Sequence, residues 1–143
     1  MIAPNEVIVQ TKILVIDDDK EMTDLMKLIL EPGLFEVITV NSSVEGVEQA
    51  RASKPDVVVL DLLMPAMDGL QVCKEIRKFS QVPILVLSAV SKPGMASRAL
   101  DEGADDYLLK PMPSSMLIAH IKKLARRARA EQESSQARLS YYA

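Results

Sequence analysis

The chain carries a single cysteine, Cys73, so no disulfide can form within it. That fits a reducing compartment, and a cytoplasmic location is expected. It also carries a single histidine, His120, on which no catalytic triad or metal site can be built. The apolar runs stop at about strand length, far short of the ~20 residues that a membrane-spanning helix needs. The opening segment MIAPNEVIVQTK lacks the basic-then-apolar order of a secretion signal. There is no excess of positive charge, since the net charge is −3 and the pI is near 5.2. Basic residues cluster only late, at Lys122, Lys123, Arg126, Arg127 and Arg129, so nucleic-acid contact by this segment is not expected. No internal repeat is visible.

What is present reads as one folded domain. A chain of 143 residues suits a single core. Ile13-Leu14-Val15-Ile16, Val57-Val58-Val59-Leu60 and Ile84-Leu85-Val86-Leu87 are continuous and mostly β-branched, the mark of strands buried on both faces of a parallel sheet. Phe35 to Val40 is a fourth such run, and Leu108-Leu109 is a weaker fifth. Helical spacing falls between them: Met22, Leu25, Met26 and Ile29, stopped by Pro32-Gly33; Val44, Val47 and Ala50, capped by Asn41, Ser42 or Ser43. Leu70, Val72, Cys73 and Ile76 follow the turn Asp68-Gly69, and Met95, Ala99 and Leu100 make a short helix. Leu117, Ile118, Ile121, Leu124 and Ala128 make the last, capped by Ser114 or Ser115. Five β-α units in alternation predict a doubly wound parallel sheet with helices on both faces. Residues 1–11 read as a lead-in, 12–130 as the domain, and 131–143 as a tail or linker that has lost its apolar period.

In an open parallel sheet, ligands bind beyond the carboxyl ends of the strands. The first polar residues after the apolar runs are therefore the informative ones. Asp17, Asp18 and Asp19 follow Ile16, Asp61 follows Leu60, Ser88 follows Leu87, and Lys110 follows Leu109. Clustered carboxylates repel one another and call for positive charge. A hard divalent cation such as Mg²⁺, together with Lys110, would supply it. Phosphoryl transfer needs mainly positioning and charge neutralisation. Asp61, alone after the central run, is placed as an in-line nucleophile that would become an aspartyl phosphate. Each residue also has a plainer reading. The Asp17–Asp19 run would serve as a helix cap, Lys110 as a surface lysine, Ser88 as a turn serine, and the methionines Met22, Met26, Met67, Met95 and Met116 as core filler.

Four segments in order, ILVIDDD (13–19), DVVVLDLLMPAMDGL (56–70), PILVLSA (83–89) and GADDYLLKP (103–111), resemble the receiver domains of two-component response regulators. The resemblance implies a flavodoxin-like five-stranded sheet of order 2-1-3-4-5 with five helices. It implies Asp17 and Asp18 as the acidic pair for Mg²⁺, with the backbone carbonyl of Leu63 as a further ligand and Asp61 as the phosphoacceptor. It implies Lys110 as the phosphoryl partner before a cis bond to Pro111, and Ser88 and Tyr107 as the switch pair. A sensor histidine kinase would dock near Met22 and Leu25 and phosphorylate Asp61, repacking the face of the fourth helix, fifth strand and fifth helix. Where an effector domain follows the tail, it would read the change; the family signals and is not counted an enzyme. RALDEGADDYLLK (98–110) is similar to the winged-helix transcription-factor class, which implies a homodimer on phosphorylation. Arg98, Asp101, Asp105 and Asp106 would then face Lys122, Lys123 and Arg126 of a second copy.

Two departures stand out. Met112 replaces the usual phenylalanine, which loosens packing. Leu63 and Val90, two residues beyond Asp61 and Ser88, are apolar and would not orient an attacking water, so a long-lived phosphoryl state is expected. A phosphatase on a similar fold is the first rival, but Leu62-Leu63 offers no proton donor. A degenerate receiver acting only as a protein-binding module is the second, but no acid, acceptor or lysine is lost.

Overall fold

The computed structural model describes residues 10–142, with side chains to Leu139. Most of the expected lead-in thus lies outside the described residues, and Thr11 already belongs to the first strand. The strands are β1 (Thr11–Ile16), β2 (Phe35–Val40), β3 (Val57–Asp61), β4 (Ile84–Ser88) and β5 (Asp106–Leu109). The helices are α1 (Lys20–Leu30), α2 (Ser43–Ser53), α3 (Gly69–Arg77), α4 (Met95–Asp101) and α5 (Ser114–Tyr142). All strand pairs are parallel, in the order β2-β1-β3-β4-β5, which is the flavodoxin-like fold with five helices.

The continuous runs are explained by two cores. Side chains alternate across a strand. Leu14, Ile16, Val58, Leu60, Ile84 and Val86 pack under α2, α3 and α4. Ile13, Val15, Val57, Val59, Leu85 and Leu87 pack under α1 and α5. Every second residue meets one helical layer and its neighbours meet the other, so no polar alternation survives in the sequence.

The helices show where periodicity misplaces a face. On α1 the buried residues are Thr23, Met26 and Leu30, while Leu25 is 48% exposed. Asp19 caps the helix, accepting from Glu21 N–H. On α2 the inward residues are Ser43, Gly46 and Ala50, with Val44 turned outward. A Cβ at Gly46 would lie 2.8 Å from Ile16 side-chain atoms, so glycine lets α2 settle on β1. Ser42 is the cap of α2. Leu100 and Met116 are exposed and so are not core residues. Neither Ser114 nor Ser115 precedes α5, because Ser114 is its first residue and the Pro113 carbonyl accepts from Met116 and Leu117 N–H. α1 stops just before Pro32-Gly33, as expected; after a 3-10 turn over Glu31–Gly33, Leu34 takes the left-handed position (φ 68°).

The last helix runs on through 131–142, the stretch expected to be tail or linker. Its Glu, Gln, Ala and Arg residues favour helix even without a packed face. Losing an apolar period removes a core contact, not the helix. Among the described residues, no helix is long and apolar enough to cross a membrane.

Candidate functional site

Asp17 follows β1 and is held from several sides. Its N–H donates to the Val40 carbonyl (3.2 Å), and its Oδ1 accepts from Asp19 N–H (3.0 Å). Its carbonyl accepts from the Asn41 amide (2.8 Å), which also donates to Thr23 Oγ1 (3.0 Å). Asn41 therefore ties the ends of β1 and β2 to α1. Sequence reading offered it only as a helix cap; its place directly after β2 was the available signal.

Asp61 closes β3. Leu62 O accepts from Gly69 N–H (2.8 Å), folding the loop back against the strand end. A Cβ at Gly69 would stand 2.7 Å from Asp61 O and 2.8 Å from Leu62 Cα. Only glycine lets α3 begin this close to the acceptor carbonyl. Leu63 lies in the same loop with its side chain 61% exposed.

Lys110 arrives from the end of β5. Its N–H donates to Ser88 O (2.9 Å), and its bond to Pro111 is cis. Its Nζ lies 3.6 Å from Asp17 Oδ2 and 3.7 Å from Asp61 Oδ1. Asp17, Asp18 and Asp61 each offer a carboxylate oxygen within 4.8 Å of the others. Burial pushes the carboxyl groups of Asp17 and Asp61 above their ordinary range, against the pull of Lys110. Three carboxylates facing one ammonium leave a negative surplus, and the donors are all oxygen. That set fits a hard divalent cation such as Mg²⁺.

Ser88 is fully buried. Its Oγ accepts from Val90 N–H (3.0 Å), and Tyr107 OH donates to Val90 O (2.7 Å). The expected switch pair thus grips a single residue from both sides. Sequence reading had Val90 only as an apolar neighbour of the site, and nothing in its identity signals this role.

Farther out, Arg77 was missed altogether. Its guanidinium donates to Gly103 O, Ser80 O, Val82 O and Asp105 Oδ2 at 2.7–3.1 Å, joining α3 to the starts of β4 and β5. Asp105 is also paired with Arg127, and Asp106 Oδ2 lies 2.6 Å from His120 Nδ1. His120 is thus half-buried rather than a free surface residue. Two of the three acids expected at a dimer interface, Asp105 and Asp106, are engaged within the chain. Cys73 is buried, its thiol pushed up to about 11, and has no part in the site.

A chain with this sheet, this acid cluster and a cis-linked lysine at the rim is a signalling receiver. The chain belongs to the response regulator receiver domain family, whose model matches residues 13–122. It is 36% identical over 118 residues to the transcriptional regulatory protein CseB of Streptomyces coelicolor, covering 82% of this chain and 50% of that protein. The chain thus spans about half the length of the curated relatives it matches. Among solved structures, a Francisella response regulator receiver domain is 31% identical with a TM-score of 0.78, covering 82% of this chain and 98% of its own. The beryllofluoride-activated receiver domain of Klebsiella pneumoniae RstA is 30% identical with a TM-score of 0.77, covering 80% and 98%.

Proposed function

We propose that Asp61 accepts a phosphoryl group from the phosphohistidine of a sensor kinase, with Mg²⁺ held by Asp17, Asp18, Asp61 and the Leu63 carbonyl. The observation that carries this reading is Lys110 Nζ set 3.6–3.7 Å from both Asp17 and Asp61 beside the exposed Asp18. An Asp61 carboxylate oxygen attacks phosphorus. The P–N bond of the phosphohistidine breaks, and its electron pair returns to the imidazole nitrogen. Mg²⁺, when bound, neutralises charge on the phosphoryl oxygens. Lys110 leaves its carboxylates to pair with a phosphoryl oxygen. The Ser88 hydroxyl turns from Val90 N–H to another, and Tyr107 follows through Val90 O. The face of α4, β5 and α5 then presents a new surface.

The relatives' names support a transcriptional output, carried by an effector domain beyond this half. The kinase would meet α1, where Leu25 and Leu28 are exposed. A homodimer on phosphorylation remains part of the reading, but its charges differ from those first expected. Arg98 and Asp101 are exposed, whereas Asp105 and Asp106 are spent internally. Lys123 lies between His120 and Arg127 on the β5 side of α5; Lys122 and Arg126 line a groove on the other side. Incubation with acetyl phosphate and Mg²⁺ should label the chain, and Asp61→Asn should abolish labelling. Full labelling of the variant would refute the acceptor assignment. Sedimentation with beryllofluoride tests the dimer, and a persistent monomer would count against it.

A further inference from the structure

The end of the domain opposite the acid cluster carries a second polarised feature that phosphoryl chemistry leaves unused. A groove of about 310 Å³ opens there, bounded by α5, the start of β1 and the turn after α1. Leu34 and Phe35 form one wall; Lys122, Ala125, Arg126 and Arg129 form the other. The three cations stand at i, i+4 and i+7, on one face of α5. None joins an ion pair among the described residues, whereas their neighbour Arg127 is paired with Asp105 and Glu131. Arg129 donates only to the Thr11 hydroxyl, at 2.9 Å.

Leu34 supplies an independent observation. It sits at φ 68° with 72% of its surface exposed. A bulky L-residue in the left-handed region costs free energy that glycine would not. Stability alone would favour glycine at this position after the turn. The chain instead holds an apolar side chain in solvent, in a strained conformation, at the lip of a cationic groove. Lys54 and Ala66 share the left-handed backbone, but of the three only Leu34 sets a large apolar side chain in solvent beside the groove.

We propose that this groove docks an acidic segment of a partner protein. One apolar side chain of that segment packs against Leu34, Phe35 and Ala125, and its carboxylates meet Lys122, Arg126 and Arg129. Charge complementarity sets the partner's sign. Concavity sets its class, because a groove of this size takes a side chain or two, whereas an anionic membrane needs a face that lies flat on it. The surface stands on its own geometry and does not depend on phosphorylation of Asp61.

The test titrates the full ¹⁵N-labelled chain with a short peptide in which glutamates flank one phenylalanine. A lysine counterpart and vesicles of phosphatidylcholine with phosphatidylserine are run beside it. Saturable amide shifts confined to 33–35 and 122–129 are expected with the acidic peptide alone. Arg126→Glu should weaken binding about tenfold, the loss of one good charge contact. Leu34→Gly should weaken it as well while leaving the melting temperature unchanged or higher, which separates a lost anchor from a damaged fold. Absence of saturable shifts at millimolar peptide, an equal response to the lysine peptide, binding to vesicles without binding to peptide, or self-association through the groove in its place would each overturn the proposal.

Discussion

Asp61→Asn should make the metal-free domain more stable at neutral pH, although it removes the proposed acceptor. Asp61 lies within 4.8 Å of oxygens of both Asp17 and Asp18, and 3.7 Å from Lys110. Each like-charge pair at that distance is worth about 0.9 kcal/mol in water and about 3.5 kcal/mol at an effective dielectric of 20. The Lys110 attraction is worth about 1.1 and 4.5 kcal/mol on the same two scales. Two repulsions against one attraction leave a net repulsion of about 0.6–2.4 kcal/mol. Burial of the carboxylate, the largest cause of its raised pKa, acts in the same direction. A gain of about 1–2 kcal/mol corresponds to a rise in melting temperature of roughly 3–6 °C for a domain of this size. The assay is thermal unfolding in EDTA at low salt, across pH. Asp17 and Asp61 titrate above their ordinary 3.8. Their contribution to stability is therefore present below that ordinary value and lost as pH rises through the raised folded values. The gap between variant and wild type should open with rising pH and close in acid. Mg²⁺ should narrow the gap by stabilising wild type, by about 1.4 kcal/mol at ten times its dissociation constant, and reverse the order at a hundred times, where the gain is about 2.7 kcal/mol. A variant that melts at or below wild type in EDTA, or a gap that ignores pH, would refute the reasoning.

Three further outcomes can be checked. Gly69→Ala should cost about 1–3 kcal/mol in urea unfolding, because its Cβ meets Asp61 and Leu62 backbone rather than a yielding side chain, and it should slow labelling by displacing Asp61. Arg77→Ala should cost about 2–4 kcal/mol by leaving three carbonyls and Asp105 short of a donor, and Arg77→Lys should recover little of it, since an ammonium cannot span the same acceptors. The phosphorylated domain should keep its label for minutes or longer in neutral buffer, and Leu63→Asn should shorten that lifetime; decay within seconds in wild type would contradict the apolar shielding argument.

The sheet was legible because three runs are short, continuous and mostly β-branched, as strands buried on both faces are. The candidate site was legible for a related reason: each strand's first polar residue stands at the carboxyl rim, so Asp17, Asp61, Ser88 and Lys110 could be collected without knowing any distance. What could not be read depends on three-dimensional neighbours. Leu25 and Leu30 have the same chemistry, and only the docked angle of α1 decides that one is exposed and the other buried. Arg77 carries no local signal, because its acceptors are carbonyls of two separate loops, one after α3 and one after α4. The α5 extension was hidden by the assumption that a helix needs an apolar face. Nothing in the identity of Leu34 signals its left-handed backbone, since that conformation favours glycine.

Val90 is where local chemistry at the rim would become a change in shape. Its N–H is satisfied only by a buried hydroxyl and its carbonyl accepts from Tyr107, so neither contact can be altered without consequence for the other. Were the Ser88 hydroxyl to turn toward a phosphoryl oxygen as proposed, Val90 N–H would be left unpaired at a cost of about 1–3 kcal/mol, comparable to the gain from a charge-assisted hydrogen bond. A balance that close would favour movement of the loop over an orphaned donor, and a moving loop would carry the Val90 carbonyl away from Tyr107. The side chain that then changes place is anchored on β5, beside the exposed Leu109 and across from α4. On the proposed function, the face of α4, β5 and α5 would respond to one added charge because two hydrogen bonds on Val90 link it to the site.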